Sequence, residues 1–497
     1  MVARTNGTIA KDPLGDRPER ASQVERTSPS EGETLRQHCR GMMPLDAIWP
    51  DWMMELLRDA ANETSLLRGW LKQWGSPLNV LNVDPMRRAI RAIQDVASDR
   101  GLPVQLHFAR KANKCPEFVQ AGLGEGIGFD VASEPELQQT LEVMRKAAAS
   151  PQQDRLVCTA SIKSHSLMRL CVENDVVLVI DNPDELQTLR ETLEAMGSSQ
   201  ARVALRWRPD SEQAPAFQSR FGMPMSAWSD EAKRIASEQR IKLVGVHFHF
   251  QRSLSQFDPI WTRTRIAEAL VAVDHFREWG NDLRWLDIGG GFPINYLRNA
   301  SQWSNFLSVS QNDDSARRLT WDGQLLRNVD PMWQPWSAAK WLGDVLQSET
   351  VTAIRSRDLI LKCEPGRSLL DGCGMTLAEV AFVKPCSANS NSQGDHWIGL
   401  HMNSSQCRTT RDEFLVDPIV LPMNAAGPRG RALEGFFVGA YCTESEYLFQ
   451  RRFQFPNGIA RGDLVAIPNT AAYQMHFQES QAHQMPLANH VFTGNFV

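Results

Sequence analysis

The sequence predicts an α/β plus β protein: a closed (β/α)8 barrel of the TIM type followed by a β-sandwich or β-barrel domain. Two observations predict it. Between about residues 78 and 365, eight short β-rich runs alternate with amphipathic helical stretches, and after Leu370 the chain turns to short apolar runs separated by Pro, Gly and Asn. Parallel neighbours need a helical crossover, so the alternation implies a parallel sheet and the count of eight suggests closure; a doubly wound open sheet is the alternative arrangement. At 497 residues the chain also exceeds what one hydrophobic core organises.

In chain order, residues 1–38 are polar and carry charges of both signs. They hold too few apolar side chains to offset the cost of ordering a backbone, so they read as a disordered leader without the apolar stretch of a secretory signal. Residues 39–77 are expected to pack on the β-domain. The barrel is expected over 78–370, with strands in "VQLHFAR" (104–110), "GIGFDVAS" (126–133), "RLVCTA" (155–160), "VVLVID" (176–181), "RVALRWRP" (202–209), "LVGVHFHF" (243–250), "LRWLDIGGG" (283–291) and "LILKCEPGR" (359–367). Residues 371–497 carry "MTLAEVAFVKP", "HWIGLHM", "GFFVGAYC" and "DLVAIPN" and read as the β-domain. The rhythm breaks at 297–340, where Trp303, Trp321, Trp333 and Trp336 suit a lid over an active site or a subunit contact. A packed surface insertion is the other reading.

Composition removes several function classes. With 42% hydrophobic and 22% charged residues the chain is of ordinary globular type, and 53 basic against 58 acidic side chains give a net charge of -5, no electrostatic case for nucleic acid. No stretch approaches the roughly 18–20 apolar residues of a membrane span. Nine cysteines without a CxxC suit reduced thiols, hence a cytoplasmic setting, and argue against zinc.

Chemistry in such barrels sits at the C-terminal strand ends, and polar residues or Gly end nearly every run: Lys111, Asp130, Lys163, Arg206, His249, Gly289–Gly291 and Glu364–Arg367. A partly desolvated Lys111 would have a lowered pKa and become a nucleophile able to form a Schiff base; a salt-bridge lysine is the bland alternative. "DIGGGFP" places Gly289, Gly290 and Gly291 where backbone N–H groups can approach a phosphate, or simply a tight turn. "CEPGR" adds a carboxylate and a phosphate-matching guanidinium. In "HFHF", His247 and His249 share one strand face, but no third ligand at a suggestive spacing supports zinc, and no metal is expected. Together these features describe a phosphate-bearing aldehyde cofactor.

The constellation resembles the fold-type III pyridoxal 5'-phosphate (PLP) decarboxylases, the ornithine, arginine and diaminopimelate decarboxylase family, of which this chain reads as a divergent member. The resemblance runs from about residue 78 to the C-terminus and implies an alanine racemase-like fold. By resemblance, "FARKAN" makes Lys111 the Schiff-base residue, and in "GFDVASEPEL" Asp130 and Glu136 would support the lysine and the imidazole. "GVHFH" aligns His249 with the histidine that stacks on the pyridine ring, and the glycines of "DIGGGFP" with the phosphate loop. "EPGR" supplies Glu364 for the pyridine nitrogen and Arg367 for the phosphate, and "NTAAYQMHF" gives Tyr473 a place beside it. "GAYCTESEYL" implies that Cys442 and Glu446 enter the neighbouring subunit's site, hence a homodimer with shared active sites and Cys442 as the acid that protonates the carbanion. Without that context Cys442 reads as a structural thiol.

Three departures bear on the substrate. Relatives continue His-(Ile/Val)-Gly-Ser where this chain has His249-Phe250-Gln251-Arg252-Ser253, so Arg252 adds a charged contact or turns away and Ser253 substitutes. Glu446 stands where relatives carry Asp, a displacement of roughly 1.5 Å at a position that meets a substrate's distal amine. After "GLHMNSS" the usual Arg-Pro-Ala-Leu-Tyr-like stretch is replaced by "QCRTTRDEFLVDP", with Arg408 a candidate carboxylate binder. The resemblance implies decarboxylation of an amino acid or amino-acid conjugate, in specialised biosynthesis. A racemase of the same fold, which would set an Arg rather than Glu364 against the ring nitrogen, and a non-catalytic PLP-binding relative are the alternatives.

Overall fold

The computed structural model describes residues 35–148, 155–197, 199–209, 219–250, 257–310, 312, 314, 319–326, 329–386, 395–409, 416–423, 430–480 and 482–494. The leader assigned to 1–38 lies outside the described residues up to 34. Leu35 already packs against a core, so residues 35–38 do not belong to a leader.

Two strands, β1 (Arg40–Gly41) and β2 (Leu78–Leu81), precede the barrel. All eight β-rich runs then form it: β3 (Val104–Ala109), β4 (Gly128–Val131), β5 (Leu156–Cys158), β6 (Val177–Ile180), β7 (Ala201–Arg206), β8 (Ile241–His247), β9 (Trp285–Asp287) and β10 (Ile360–Cys363). Each pairs in parallel with the next, and β10 pairs with both β9 and β3, closing the ring. The crossover helices bury one face; Asp84–Asp99 turns Met86, Ile90, Ile93 and Ala97 inward at helical spacing. Their starts are chemically marked. Ser133 Oγ accepts the Glu136 N–H, and Asn182 Oδ1 accepts that of Glu185.

Seven strands follow: β11 (Gly374–Pro385), β12 (Asp395–Leu400), β13 (Ile419–Leu421), β14 (Leu433–Val438), β15 (Phe453–Phe455), β16 (Leu464–Pro468) and β17 (Asn489–Phe492). With β1 and β2 they make a nine-stranded mixed sheet in the order β1-β15-β14-β12-β11-β16-β13, with β2 between β11 and β17. The long β11 joins the halves. Met375–Glu379 pair with β16, and residues from Val380 onward pair with β12 after a register shift between Val380 and Phe382.

This sheet moves one boundary. Leu78–Leu81, at the start of the expected barrel bounds 78–370, pairs antiparallel with Leu377–Gly374 instead, and Leu78 and Val80 bury in the second core. A short, fully buried strand has no alternation that says which sheet takes it. Residues from the 39–77 segment, including Met43, Leu45, Met53 and Leu67, bury in that same core.

The 297–340 insertion is anchored by its tryptophans. Trp303 stacks on Phe306 inside the second core, and Trp321 stacks on Tyr447 at 4.6 Å and meets Trp397 edge-on. Trp333 packs against the same core, and Trp336 donates to Asp344. None of the four lines the large cavity at the barrel mouth, so they do not form the predicted cover; Asp330 and Pro331 reach that cavity instead.

Candidate active site

A cavity of about 770 Å³ opens at the C-terminal ends of the barrel strands, lined in part by Lys111, His249, Gly290, Glu364, Arg367 and Tyr473. Six residues scattered over more than 360 positions converge because each follows a parallel strand or, for Tyr473, a β-domain turn. Two hydrogen bonds, one between main chains and one from a side chain, fix Tyr473 against the lysine segment: Tyr473 N–H donates to Ala112 O at 2.7 Å, and Asn113 Nδ2 donates to Ala471 O at 2.8 Å. Tyr473 itself holds a left-handed φ of 69°, a conformation that costs energy and persists where the surroundings determine it.

Lys111 Nζ lies 3.6 Å from the Asp130 carboxylate, whose other oxygen accepts from Thr159 Oγ1 at 2.5 Å. The lowered pKa expected of Lys111 is corrected. Burial pushes the ammonium group down, but Asp130, Tyr473 and Glu364 together outweigh it and shift it upward, so the free amine is held as a cation. Burial in turn raises the Asp130 carboxyl to about 7, with Glu364 adding to the rise and Lys111 opposing it. Glu136 does not reach the lysine or an imidazole: its carboxylate accepts the Ala132 N–H at 2.7 Å and braces a helix start.

Glu364 is buried between two imidazoles. His247 Nε2 is 3.1 Å from Glu364 Oε2, and His249 Nδ1 is 3.9 Å from the same oxygen. Burial pushes the Glu364 carboxyl up, yet these imidazoles prevail and hold it well below the usual carboxylate range; burial lowers His247, and lowers His249 to about 4. From the sequence, His247, which shares a strand face with His249, reads only as a metal ligand or a core residue; its contact with Glu364 adds it to the site. His247, His249 and Glu364 bring ligand atoms within 4.8 Å, so the third metal-competent group that spacing did not reveal is Glu364.

The glycine loop is shaped by its neighbours. A Cβ on Gly290 would lie 2.0 Å from the Glu364 carbonyl oxygen, and one on Gly289, at φ +68°, would lie 2.8 Å from the His249 side chain. Only glycine lets β9 pass this close to both site residues. Gly290 and Gly291 line the cavity. Arg367 donates to Asp330 Oδ2 at 2.8 Å through Nη2, while its Nη1 is buried without a hydrogen-bond partner among the described residues. Glu364 Oε1 is likewise buried and unpartnered. A buried guanidinium nitrogen beside a glycine loop suits a phosphate, and a buried ionised carboxylate oxygen suits a protonated ring nitrogen; the residues present therefore fit PLP.

The family profile described as "Pyridoxal-dependent decarboxylase, pyridoxal binding domain" matches residues 84–316. An "Uncharacterized protein y4yA" of Sinorhizobium fredii is 30% identical over 430 residues, covering 85% of this chain and 88% of that protein. This chain belongs to the pyridoxal-dependent decarboxylase family. PLP is the cofactor of that family. The diaminopimelate decarboxylase of Staphylococcus aureus is 23% identical over 414 residues, covering 81% of this chain and 85% of that enzyme. Diaminopimelate decarboxylase from Helicobacter pylori, complexed with L-lysine, superposes with a TM-score of 0.64 at 17% identity, covering 86% of this chain and 94% of the other. At that identity the superposition shows the fold: a barrel with an appended β-domain, the alanine racemase-like arrangement.

The remaining candidates separate in space. Glu446 is buried in its own β-domain, its carboxylate accepting from Ser404 N at 2.6 Å and Ser404 Oγ at 2.7 Å. The role of meeting a substrate's distal amine in a neighbouring subunit is therefore corrected to bracing this loop. Arg408 also turns away, donating to Tyr447 O at 3.0 Å, while the adjacent Thr409 lines the cavity. Cys442 is exposed and does not line the cavity of its own chain. Arg252, with Gln251 and Ser253, lies outside the described residues. Arg206, one of the expected strand-end residues, and Arg220, which was not among them, line the cavity, and both guanidinium groups pack on the Phe221 ring, at 4.3 and 3.9 Å.

Proposed function

We propose that the protein decarboxylates an amino acid, with Lys111 as the residue that would hold the cofactor. The observation that carries this reading is the placement of Glu364, 3.1 Å from His247 and 3.9 Å from His249, with Oε1 buried, unpartnered and available to a protonated ring nitrogen. The cofactor, when bound, supplies the electron sink for the pair left as the Cα–carboxylate bond breaks. Glu364 keeps that sink strong, and a racemase reading, which calls for an arginine at this place, is disfavoured. Asp130, 3.6 Å from Lys111 Nζ, orients the lysine. His249 supplies a neutral ring face. Arg367 and the glycine loop would hold the phosphate, and the exposed Cys442, from the partner subunit of a homodimer, would deliver a proton to the substrate Cα.

We infer further that the substrate's distal end is anionic or neutral rather than an ammonium group. Among the described residues lining the cavity, both acids, Asp330 and Glu364, are engaged; Arg206, itself paired with Asp181, and Arg220 flank Phe221 inside it. The distal amines of lysine and ornithine, named with similar structures, find no free carboxylate there. The test is carbon dioxide release from paired substrates of equal length, glutamate-like against ornithine-like, free and conjugated. Preference for the ornithine-like member would overturn the inference, and turnover that interconverts enantiomers without carbon dioxide would favour the racemase.

A further inference from the structure

We propose a second site on this chain: a zinc-type metal centre formed by Cys115, His476 and His490, outside the cofactor cavity. These three residues each present one ligand atom, and the three atoms lie within 4.8 Å of one another. They come from separate parts of the chain. Cys115 immediately precedes the helix Pro116–Gly124, His476 follows the Tyr473 turn, and His490 lies in β17. The two imidazoles meet Nε2 to Nε2 at 2.6 Å, with ring centroids 4.9 Å apart, and the thiol is 7% exposed while both histidines are half-buried. An ion therefore has a path in from solvent past the rings.

One thiolate and two imidazoles form a donor set for zinc and similar borderline cations, not for magnesium or calcium, which take oxygen ligands. Three protein ligands leave the fourth tetrahedral position to water. Loading moves the proton that now joins the rings from Nε2 to the Nδ1 of the same ring, spreads the two Nε2 atoms to roughly 3.3 Å for bonds of about 2.0–2.1 Å, and releases the thiol proton to solvent. The cost is small: the Lys114 N–H donates to His476 Nδ1 at 3.4 Å, a long bond that metal binding would give up.

The position explains what such an ion would do. Cys115 stands four residues after Lys111, and His476 three after Tyr473. The same two segments are already joined by the Tyr473–Ala112 and Asn113–Ala471 hydrogen bonds and by the Lys114–Glu479 ion pair. Metal at this centre would staple the lysine-bearing segment to the tyrosine-bearing turn and to the C-terminal strand, a structural role independent of which reaction the cavity performs.

The test uses the full-length, PLP-loaded protein, freed of metal with a chelator and then titrated with zinc alone. One zinc per chain is expected after gel filtration, and X-ray absorption at the zinc edge should give one sulfur neighbour near 2.3 Å with nitrogen or oxygen at about 2.0–2.1 Å. Cys115→Ser and His490→Gln should each weaken retention about tenfold or more, whereas His249→Gln should leave it unchanged. His490 is half-buried on the last strand, so its variant keeps the proposal testable if the Cys115 variant fails to fold. No stoichiometric zinc, zinc without a sulfur neighbour, zinc indifferent to both substitutions, or zinc lost with His249→Gln would overturn it.

Discussion

At the scale of single residues, Cys442 and Glu446 separate although only four positions apart. Glu446→Ala leaves the buried Ser404 N–H without its acceptor, which should cost about 1–3 kcal/mol and lower the midpoint of thermal unfolding. Cys442→Ser, at an exposed site, should leave that midpoint in place while slowing turnover; equal stability losses in both would contradict the assignment. His249 gives a pH prediction. Its native pKa, about 4, lies below the ordinary value of 6.5, so between the two the unfolded chain takes up a proton that the native imidazole refuses. Its contribution to stability is full above pH 6.5 and is lost as pH falls toward 4, on the order of 1–3 kcal/mol. Denaturant titrations at both ends of that window, wild type against His249→Gln, should show the wild type losing more.

At the scale of elements, strand ends were the most legible part of the sequence. Lys111, Asp130, His249, Glu364 and Arg367 could be placed because every barrel strand delivers its last residues to one rim, so runs that end on a polar residue identify the site before any contact is known. Buried partners were less legible. His247 reads as a core residue until Glu364 is placed beside it, and Glu446 reads as a site acid until Ser404 is seen to occupy both oxygens. The expected start of the barrel domain at residue 78 falls on a strand of the β-domain's sheet, because the short buried run Leu78–Leu81 does not name a partner strand. The glycine loop supports a prediction here: Gly290→Ala puts a Cβ 2.0 Å from the Glu364 carbonyl oxygen and must push the two strand ends apart. Cofactor retention, followed by PLP absorbance through dialysis, should fall about tenfold or more, comparable to one lost charge-assisted hydrogen bond. Unchanged retention would mean that the close approach does not set the cavity.

At the scale of the molecule, the barrel rim forms the cavity and the β-domain contributes Tyr473 to its lining, with the 297–340 insertion tied to the β-domain by Trp303 and Trp321. An exposed Cys442 that acts in the partner's site requires two chains, so specific activity should fall as the protein is diluted below its dimer dissociation constant and recover on addition of a Lys111→Ala chain carrying intact Cys442. Full activity in a monomer by light scattering would rule out the shared site. The account rests most directly on carbon–carbon bond cleavage at Lys111. Carbon dioxide release by the PLP-loaded protein, measured against a panel of free and conjugated amino acids with Lys111→Ala as the blank, should appear for at least one substrate and vanish in the variant. Release that persists in Lys111→Ala, or enantiomer exchange without release from any substrate, would contradict it.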